Sequence, residues 1–407
     1  MIIHFPQKAK NSGRLQLSAR IELRSLNIPY PKTLWYSFPG EYEPHIALRG
    51  DPFLAATIIP AMVLGEDIEI DAPVSPRLAG GLMEFQKLLM IWFPKQLQFI
   101  QIRCANMESF TPGKSERETA SLFSGGVDSS FILNANLPPQ QPIKQLQIRH
   151  ALFVHGADIP LTASERFDSL ADLSRKSLGM VGVNLIPCAT NVRSFTEGLF
   201  KWDYSHGAAL ISTGLVLSGL LERLYIASSF NYRSLVPWGS SPLLDHWLST
   251  ETLEILHVGT SYRRTEKMKV VGNWKPAQGY LRVCSTTENI RTVNCERCDK
   301  CLSTKAILEM EGTLARVETF TRPFRYNDYF RWALICSPHT NIPPIVLRQA
   351  IVDRRWKVIP FAILVNLSRF MRFWMDRCMP AWLRDYLRNR YFPLEKNPFF
   401  SKNLPDV

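Results

Sequence analysis

Apolar and polar residues alternate along residues 15–23: Leu15, Leu17, Ala19, Ile21 and Leu23 are interleaved with Gln16, Ser18, Arg20 and Glu22. That is the pattern of a half-buried strand. Asp67, Ile68, Glu69, Ile70 and Asp71 alternate again. Between residues 76 and 93 the period lengthens, with Leu78, Leu82, Phe85, Leu88 and Leu89 at helical spacing, and residues 97–104 return to a strand pattern. Residues 1–110 are therefore expected to form a strand-rich α+β domain, and they carry no cluster that points to chemistry. A polar linker of Ser, Thr, Pro, Gly, Lys, Glu and Arg follows over residues 109–118.

From residue 119 the pattern changes. Short apolar runs at residues 120–123, 151–154, 183–186 and 224–227 read as strands, and helical stretches are expected near 163–178 (stopped by Gly179) and 207–221. Strands separated by helices imply an α/β fold, a parallel sheet with helices on both faces. Ligands of such sheets sit beyond the C-terminal strand ends. Polar residues collect at four of these ends: the stretch from Ser124, His155-Gly156-Ala157-Asp158, Thr190-Asn191 and Ser228-Ser229.

The first of these ends reads Ser124-Gly125-Gly126-Val127-Asp128-Ser129, leading into the apolar helix start Ser130-Phe131-Ile132-Leu133. Adjacent glycines permit positive φ and close backbone approach, and the N–H groups and dipole of a helix start favour an anion. Ser124 and Ser129 add hydroxyls, and Asp128 suits a magnesium ion bridging phosphates. The spacing and the lysine of a Walker A loop are missing. His155 is a candidate for adenine contact or a base, and Asp158 for magnesium or ribose. Asp245 is expected near an acceptor pocket, His206 at a helix start and His257 in a structural role. No Ser-His-Asp spacing or G-x-S-x-G elbow appears.

Four of the eight cysteines crowd together as Cys284, Cys295, Cys298 and Cys301, while Cys104, Cys188, Cys336 and Cys378 stand apart. This is a metal pattern of a reducing compartment, not a disulfide framework. Four thiolates suit a closed, structural tetrahedral zinc site. A strand at 280–283 is expected to present Cys284, and a knuckle over 295–301 to lead into a helix at 302–310. An iron–sulfur cluster and a redox C-x-x-C are the rivals.

The net charge of +12, 48 basic against 36 acidic residues, favours an anionic ligand, nucleic acid or membrane surface without choosing among them. Much of it lies in residues 320–407, where Arg369, Arg372, Arg377, Arg384 and Arg388 sit among Phe370, Phe373, Trp374, Trp382 and Tyr386. A basic helical tail is expected, its aromatics packed and its arginines solvated, with nucleic acid as an alternative partner. No secretory signal or membrane-spanning segment is expected, and the expected location is the cytoplasm.

The six-residue loop after a strand resembles the PP-loop of the ATP pyrophosphatase superfamily, whose members cut ATP between the α and β phosphates, usually to adenylate a substrate oxygen. With the late four-cysteine knuckle, residues 119–312 resemble the 7-cyano-7-deazaguanine synthase (QueC) family. That family adenylates the carboxylate of 7-carboxy-7-deazaguanine and passes it to ammonia. The resemblance implies an adenine nucleotide alpha-hydrolase-like core that holds ATP and Mg²⁺, with structural Zn²⁺ on the four cysteines. Phosphates would bind at Ser124, Gly125, Gly126, Asp128 and Ser129, with Val127 inside the loop. Lys267 matches the family's phosphate-reaching lysine, and Arg264 is an accessory. His155-Gly156-Ala157-Asp158 replaces the family's Tyr-Gly-Gln-Arg-His motif, and Ser205-His206-Gly207-Ala208-Ala209 stands near the place of its missing Pro-Gly-Arg-Asn. The greater length resembles QueC-like proteins of anti-phage Qat and CBASS systems, where a protein partner from the same operon is the implied substrate. The expected activity is ATP-dependent carbon–nitrogen ligation of a small-molecule or protein carboxylate. A tRNA-modifying PP-loop enzyme and a non-catalytic nucleotide-binding scaffold are the alternatives.

Overall fold

The computed structural model describes residues 1–24, 30–113, 116–284, 292–337, 342–378 and 380. The chain forms two compact units, Met1–Arg264 and Thr265–Val407. They divide inside the stretch 119–312 that the sequence reading takes as one core.

The first unit holds β1 (Ile2–Ile3), β2 (Gln7–Asn11), β3 (Arg14–Glu22), β4 (Thr33–Pro39), α1 (Asp51–Leu64), β5 (Ile68–Val74), α2 (Pro76–Trp92), β6 (Ile102–Met107), β7 (Glu118–Phe123), α3 (Val127–Ala135), β8 (Ile148–His155), α4 (Ser164–Gly179), β9 (Asn184–Thr190), α5 (Val192–Thr196), α6 (His206–Leu215), β10 (Leu221–Ala227) and β11 (Glu254–Val258). Its strands join in an eleven-stranded sheet of order β11-β10-β7-β8-β9-β4-β3-β1-β5-β6, with β2 paired to β3. The run β11-β10-β7-β8-β9 is parallel throughout. β4 then pairs antiparallel with β9, Tyr36 opposite Thr190, so the strands before residue 110 continue the core sheet. β3 buries alternate residues, as its sequence demands, whereas β8 is buried almost throughout, as a strand covered on both faces must be.

Two helices tie the front segment to the rest. Ser75 caps α2, its Oγ accepting from Leu78 N–H at 3.0 Å. α1 is buried nearly all round and packs against α6. A helix apolar on every side has no amphipathic period, and so the sequence pattern does not reveal it. Two expected elements are shorter. The strand at 97–104 begins only at Ile102, and the helix at 207–221 ends at Leu215 because Leu221 already belongs to β10.

The second unit is helical: α7 (Arg264–Asn273, opening at the boundary), α8 (Lys275–Gln278), α9 (Asp299–Met310), α10 (Tyr326–Ile335), α11 (Ile342–Val352) and α12 (Ile359–Cys378). Trp332 of α10 is fully buried and donates its indole N–H to Asp299 of α9 at 2.7 Å. α12 departs in part from the expected polarity, although Arg377 is exposed and Phe361 packs on Tyr326 as expected. Ile363, Leu367, Phe370, Met371, Phe373 and Trp374 are exposed, while Arg372 is buried and donates to Leu334 O. Arg384, Arg388, Trp382 and Tyr386 lie outside the described residues. No helix among the described residues is long and apolar enough to cross a membrane.

Candidate functional site

The parallel strands are added on one side of β7 as β8 and β9, and then on its other side as β10 and β11. The direction of winding therefore reverses beside β7, and right-handed crossovers send the two sets of connections to opposite faces. A crevice opens at such a reversal, beyond the C-terminal strand ends. The loop Ser124 to Ser129 lies there, directly after β7.

Gly125 adopts φ +73°, which a side chain would strain, and Gly126 caps α3 without a side-chain hydrogen bond. The loop is braced internally. Ser124 Oγ accepts from Gly126 N–H at 3.2 Å and lies 3.3 Å from Ser129 Oγ, which donates to Gly126 O at 3.2 Å. Val127 is buried and anchors the first turn of α3. Asp128 accepts from Arg264 Nη1 at 2.7 Å, and Tyr262 packs its ring on Phe131 of α3, with centroids 4.8 Å apart. The segment after β11 is thereby held against the helix that the loop begins. Two expected site residues, Asp128 and Arg264, meet across a separation of 136 residues.

Other expected residues are engaged in packing. His155 ends β8 with its Nε2 2.8 Å from Pro160 O and its ring stacked on Phe167 at 4.5 Å. Burial pushes its imidazole below the ordinary value, against the opposing pull of the Pro160 carbonyl. Gly156 has φ +97°, and a Cβ there would stand 1.9 Å from Thr190 O. Asp158 is exposed. Thr190 and Asn191 clasp β4: Thr190 Oγ1 donates to Trp35 O at 2.7 Å and Asn191 Oδ1 accepts from Trp35 N–H at 3.0 Å. Lys267 is buried one turn along α7, in the second unit.

A further cluster forms at the same sheet edge. Asp245 Oδ2 accepts from Ser240 Oγ at 2.6 Å and pairs with His257 Nδ1 at 2.8 Å. Ser240 Oγ lies 3.3 Å from that same ring nitrogen, so serine and carboxylate share one side of the imidazole. A nucleophilic triad needs them on opposite nitrogens. Beside the cluster, Trp238 packs on Phe230, Tyr204 and His206 with centroids 5.3, 6.0 and 6.0 Å away. In the sequence, Asp245, His206 and His257 stand apart, with no motif joining them. Only the pairing of β10 with β11 and the return of the intervening loop bring Asp245 to His257.

The second unit gathers Cys284, Cys295, Cys298 and Cys301, with all four sulfurs within 4.8 Å of one another. Cys295 and Cys301 Sγ lie 3.8 Å apart, close to the edge of a tetrahedron with metal–sulfur bonds of about 2.3 Å. The residues fit a structural metal such as zinc. The four sulfurs share protons among themselves: hydrogen bonds from its three neighbours hold Cys284 below the ordinary thiol value, and the same contacts push Cys301 above it. A bound dication would hold all four as thiolates. Cys284 is not presented by a strand. Asn294 places it instead, accepting from Val283 and Cys284 N–H at 2.9 and 3.2 Å and donating to Leu281 O at 2.8 Å.

Comparison with known protein families, with curated proteins and with solved structures found no match to this chain.

Proposed function

We propose that the chain is a QueC-like, ATP-dependent carbon–nitrogen ligase, which adenylates a carboxylate with release of pyrophosphate and passes the acyl group to a nitrogen nucleophile. The observation that carries this reading is the position of the Ser124 to Ser129 loop, at a helix N-terminus where the winding of a parallel sheet reverses. Backbone N–H groups there, with the Ser124 and Ser129 hydroxyls, would hold the phosphates. Asp128 would exchange Arg264 for Mg²⁺, which, when bound, neutralises phosphate charge. Arg264, so released, would stabilise charge growing on pyrophosphate, the role that Lys267 keeps from the resemblance. The aromatic wall of Tyr204, His206, Phe230 and Trp238 suits a planar substrate such as a deazaguanine. The four-cysteine site would hold structural zinc. No protein nucleophile is needed, because positioning and electrostatics suffice.

Replacing Asp128 by Ala tests this. Conversion of ATP to AMP and pyrophosphate, measured with 7-carboxy-7-deazaguanine or with proteins of the same operon, is expected to vanish while the melting temperature holds. Unchanged AMP release would refute the assignment.

The exposed Phe370 and Trp374 beside Arg369 and Arg377 of α12 favour a second reading, in which a tRNA is the substrate, because exposed aromatics among arginines can stack bases. It predicts salt-sensitive tRNA binding that Arg369→Glu with Arg377→Glu abolishes.

A further inference from the structure

His257 is the penultimate residue of β11 and lies opposite Ile226, the penultimate residue of β10. β10 in turn pairs with β7, Tyr225 opposite Ser121. His257 is therefore level with Leu122, two strands across from β7 and just short of the loop that starts at Ser124. Ordinary sheet spacings put its Cα about 12 Å from that of Ser124. It occupies the same C-terminal edge of the sheet as the loop, on the β11 side.

Its ring is built in an unusual way for a packing residue. The His257 and Asp245 side chains are only 4% and 1% exposed. Asp245 is fully satisfied: Oδ2 takes Ser240 Oγ–H and His257 Nδ1–H, and Oδ1 takes Ser241 N–H at 3.2 Å. A carboxylate on Nδ1 keeps the proton there and leaves the lone pair on Nε2. Nε2 has no hydrogen bond to any described residue. The Ser240 and Ser241 bonds already close the loop onto Asp245, so closure does not require the histidine. The same segment reaches the N-terminus of α6, where Gly207 N–H donates to Gly239 O at 3.1 Å, and it carries Trp238 of the aromatic wall.

We propose that His257, oriented by Asp245, is the base that takes a proton from the nitrogen nucleophile during acyl transfer; this rests on the carboxylate-activation reading above. Ammonia and alkyl amines are largely protonated at neutral pH and cannot attack as cations. Two protons leave the nitrogen. The first goes from ammonium to His257 Nε2, freeing the lone pair that forms the C–N bond to the acyl carbon. The second goes to solvent as the C–O bond to the phosphate breaks and AMP departs with the electron pair. Asp245 stabilises the imidazolium until His257 releases its proton to solvent. Asp245 is a positioning residue, and His257 the catalytic one.

The test compares two nucleophiles within one variant, because a folding defect would affect both alike. Wild type, His257→Gln and Asp245→Asn are supplied at neutral pH with Mg²⁺, ATP and 7-carboxy-7-deazaguanine, and with either ammonium or hydroxylamine. Hydroxylamine is largely unprotonated and needs no base. Hydroxamate formation by His257→Gln is expected within about twofold of wild type, while ammonium-dependent amide formation falls about 100-fold. Asp245→Asn loses about tenfold with ammonium alone. Equal losses with both nucleophiles, or full activity with ammonium, would overturn the proposal. A wild-type protein that converts no ATP to AMP, either with 7-carboxy-7-deazaguanine or with proteins of the same operon, would sink the activation reading itself, and this proposal with it.

Discussion

Lys305 places its ammonium 2.5 Å from the carboxylate of Glu296, with both side chains shut away from solvent. Glu296 lies between Cys295 and Cys298 at φ +56°, and its other oxygen accepts from Thr321 N–H and Oγ–H at 2.7 and 2.6 Å. Burial pushes its carboxyl up, but the bonds from Lys305 and Thr321 prevail and hold it below the ordinary value. The pair thus fastens the cysteine knuckle to α9 and to the segment at Thr321. Without Lys305 the carboxylate keeps Thr321 and the Arg322 guanidinium, 3.7 Å away, but loses its short charged bond, so Lys305→Met should cost about 1.5–3 kcal/mol. Denaturant unfolding of the purified variant reads this directly. A cost below about 1 kcal/mol would show that the knuckle does not depend on the pair.

The sulfur geometry predicts metal content. Protein purified without chelator should carry about one zinc per chain, and Cys301→Ser should carry almost none and melt at a lower temperature. Elemental analysis decides between metals, because iron with acid-labile sulfide would replace the zinc assignment by a cluster.

Gly125→Ala should damage nucleotide binding without unfolding the chain. At φ +73° a Cβ costs about 1–2 kcal/mol, which the loop can relieve only by leaving its present shape. Calorimetric ATP affinity should fall about tenfold. Gly80→Ala, in α2 with nothing within 4 Å of the added methyl, serves as the control and should leave affinity unchanged.

Glu251 caps α2 from outside the helix, Oε1 accepting from Arg77 N–H at 2.8 Å and Oε2 from Ser75 Oγ at 2.6 Å. Partial burial raises its carboxyl, yet these two bonds, with its own backbone N–H and the Arg49 charge, more than compensate and leave it below the ordinary value of 4.5. A carboxyl depressed in the folded state stabilises when ionised. Its contribution is complete above the unfolded-state value and is lost as pH falls through the folded one. Glu251→Gln should cost about 0.5 kcal/mol at neutral pH, a small effect because the carboxylate is exposed and screened. The difference from wild type should close below about pH 4, as unfolding curves across pH would show.

Local pattern alone determined a good deal of this protein. The alternation along β3, the periodicity of α2 and α4, the apolar runs of β7 to β10 and the spacing of the four cysteines all survive into the structure, because each is set by neighbours a few residues apart. The glycine loop is equally local, as a strand end followed by two glycines and a helix start. Tertiary structure decided the rest. No periodicity announces that β4 will pair with β9, which makes one sheet of the front and core strands; that depends on Thr190 and Asn191 meeting Trp35 from 155 and 156 residues away. α1 is invisible to pattern because every side is buried. Asn294, not a strand, places Cys284. Asp128 reaches Arg264, and Asp245 reaches His257, only after the sheet has ordered its strands. Such contacts are chosen by how whole elements bury their surfaces against one another: Asp128 and Arg264 lie 136 residues apart, and even the 12-residue separation of Asp245 and His257 carries no local pattern that closes it.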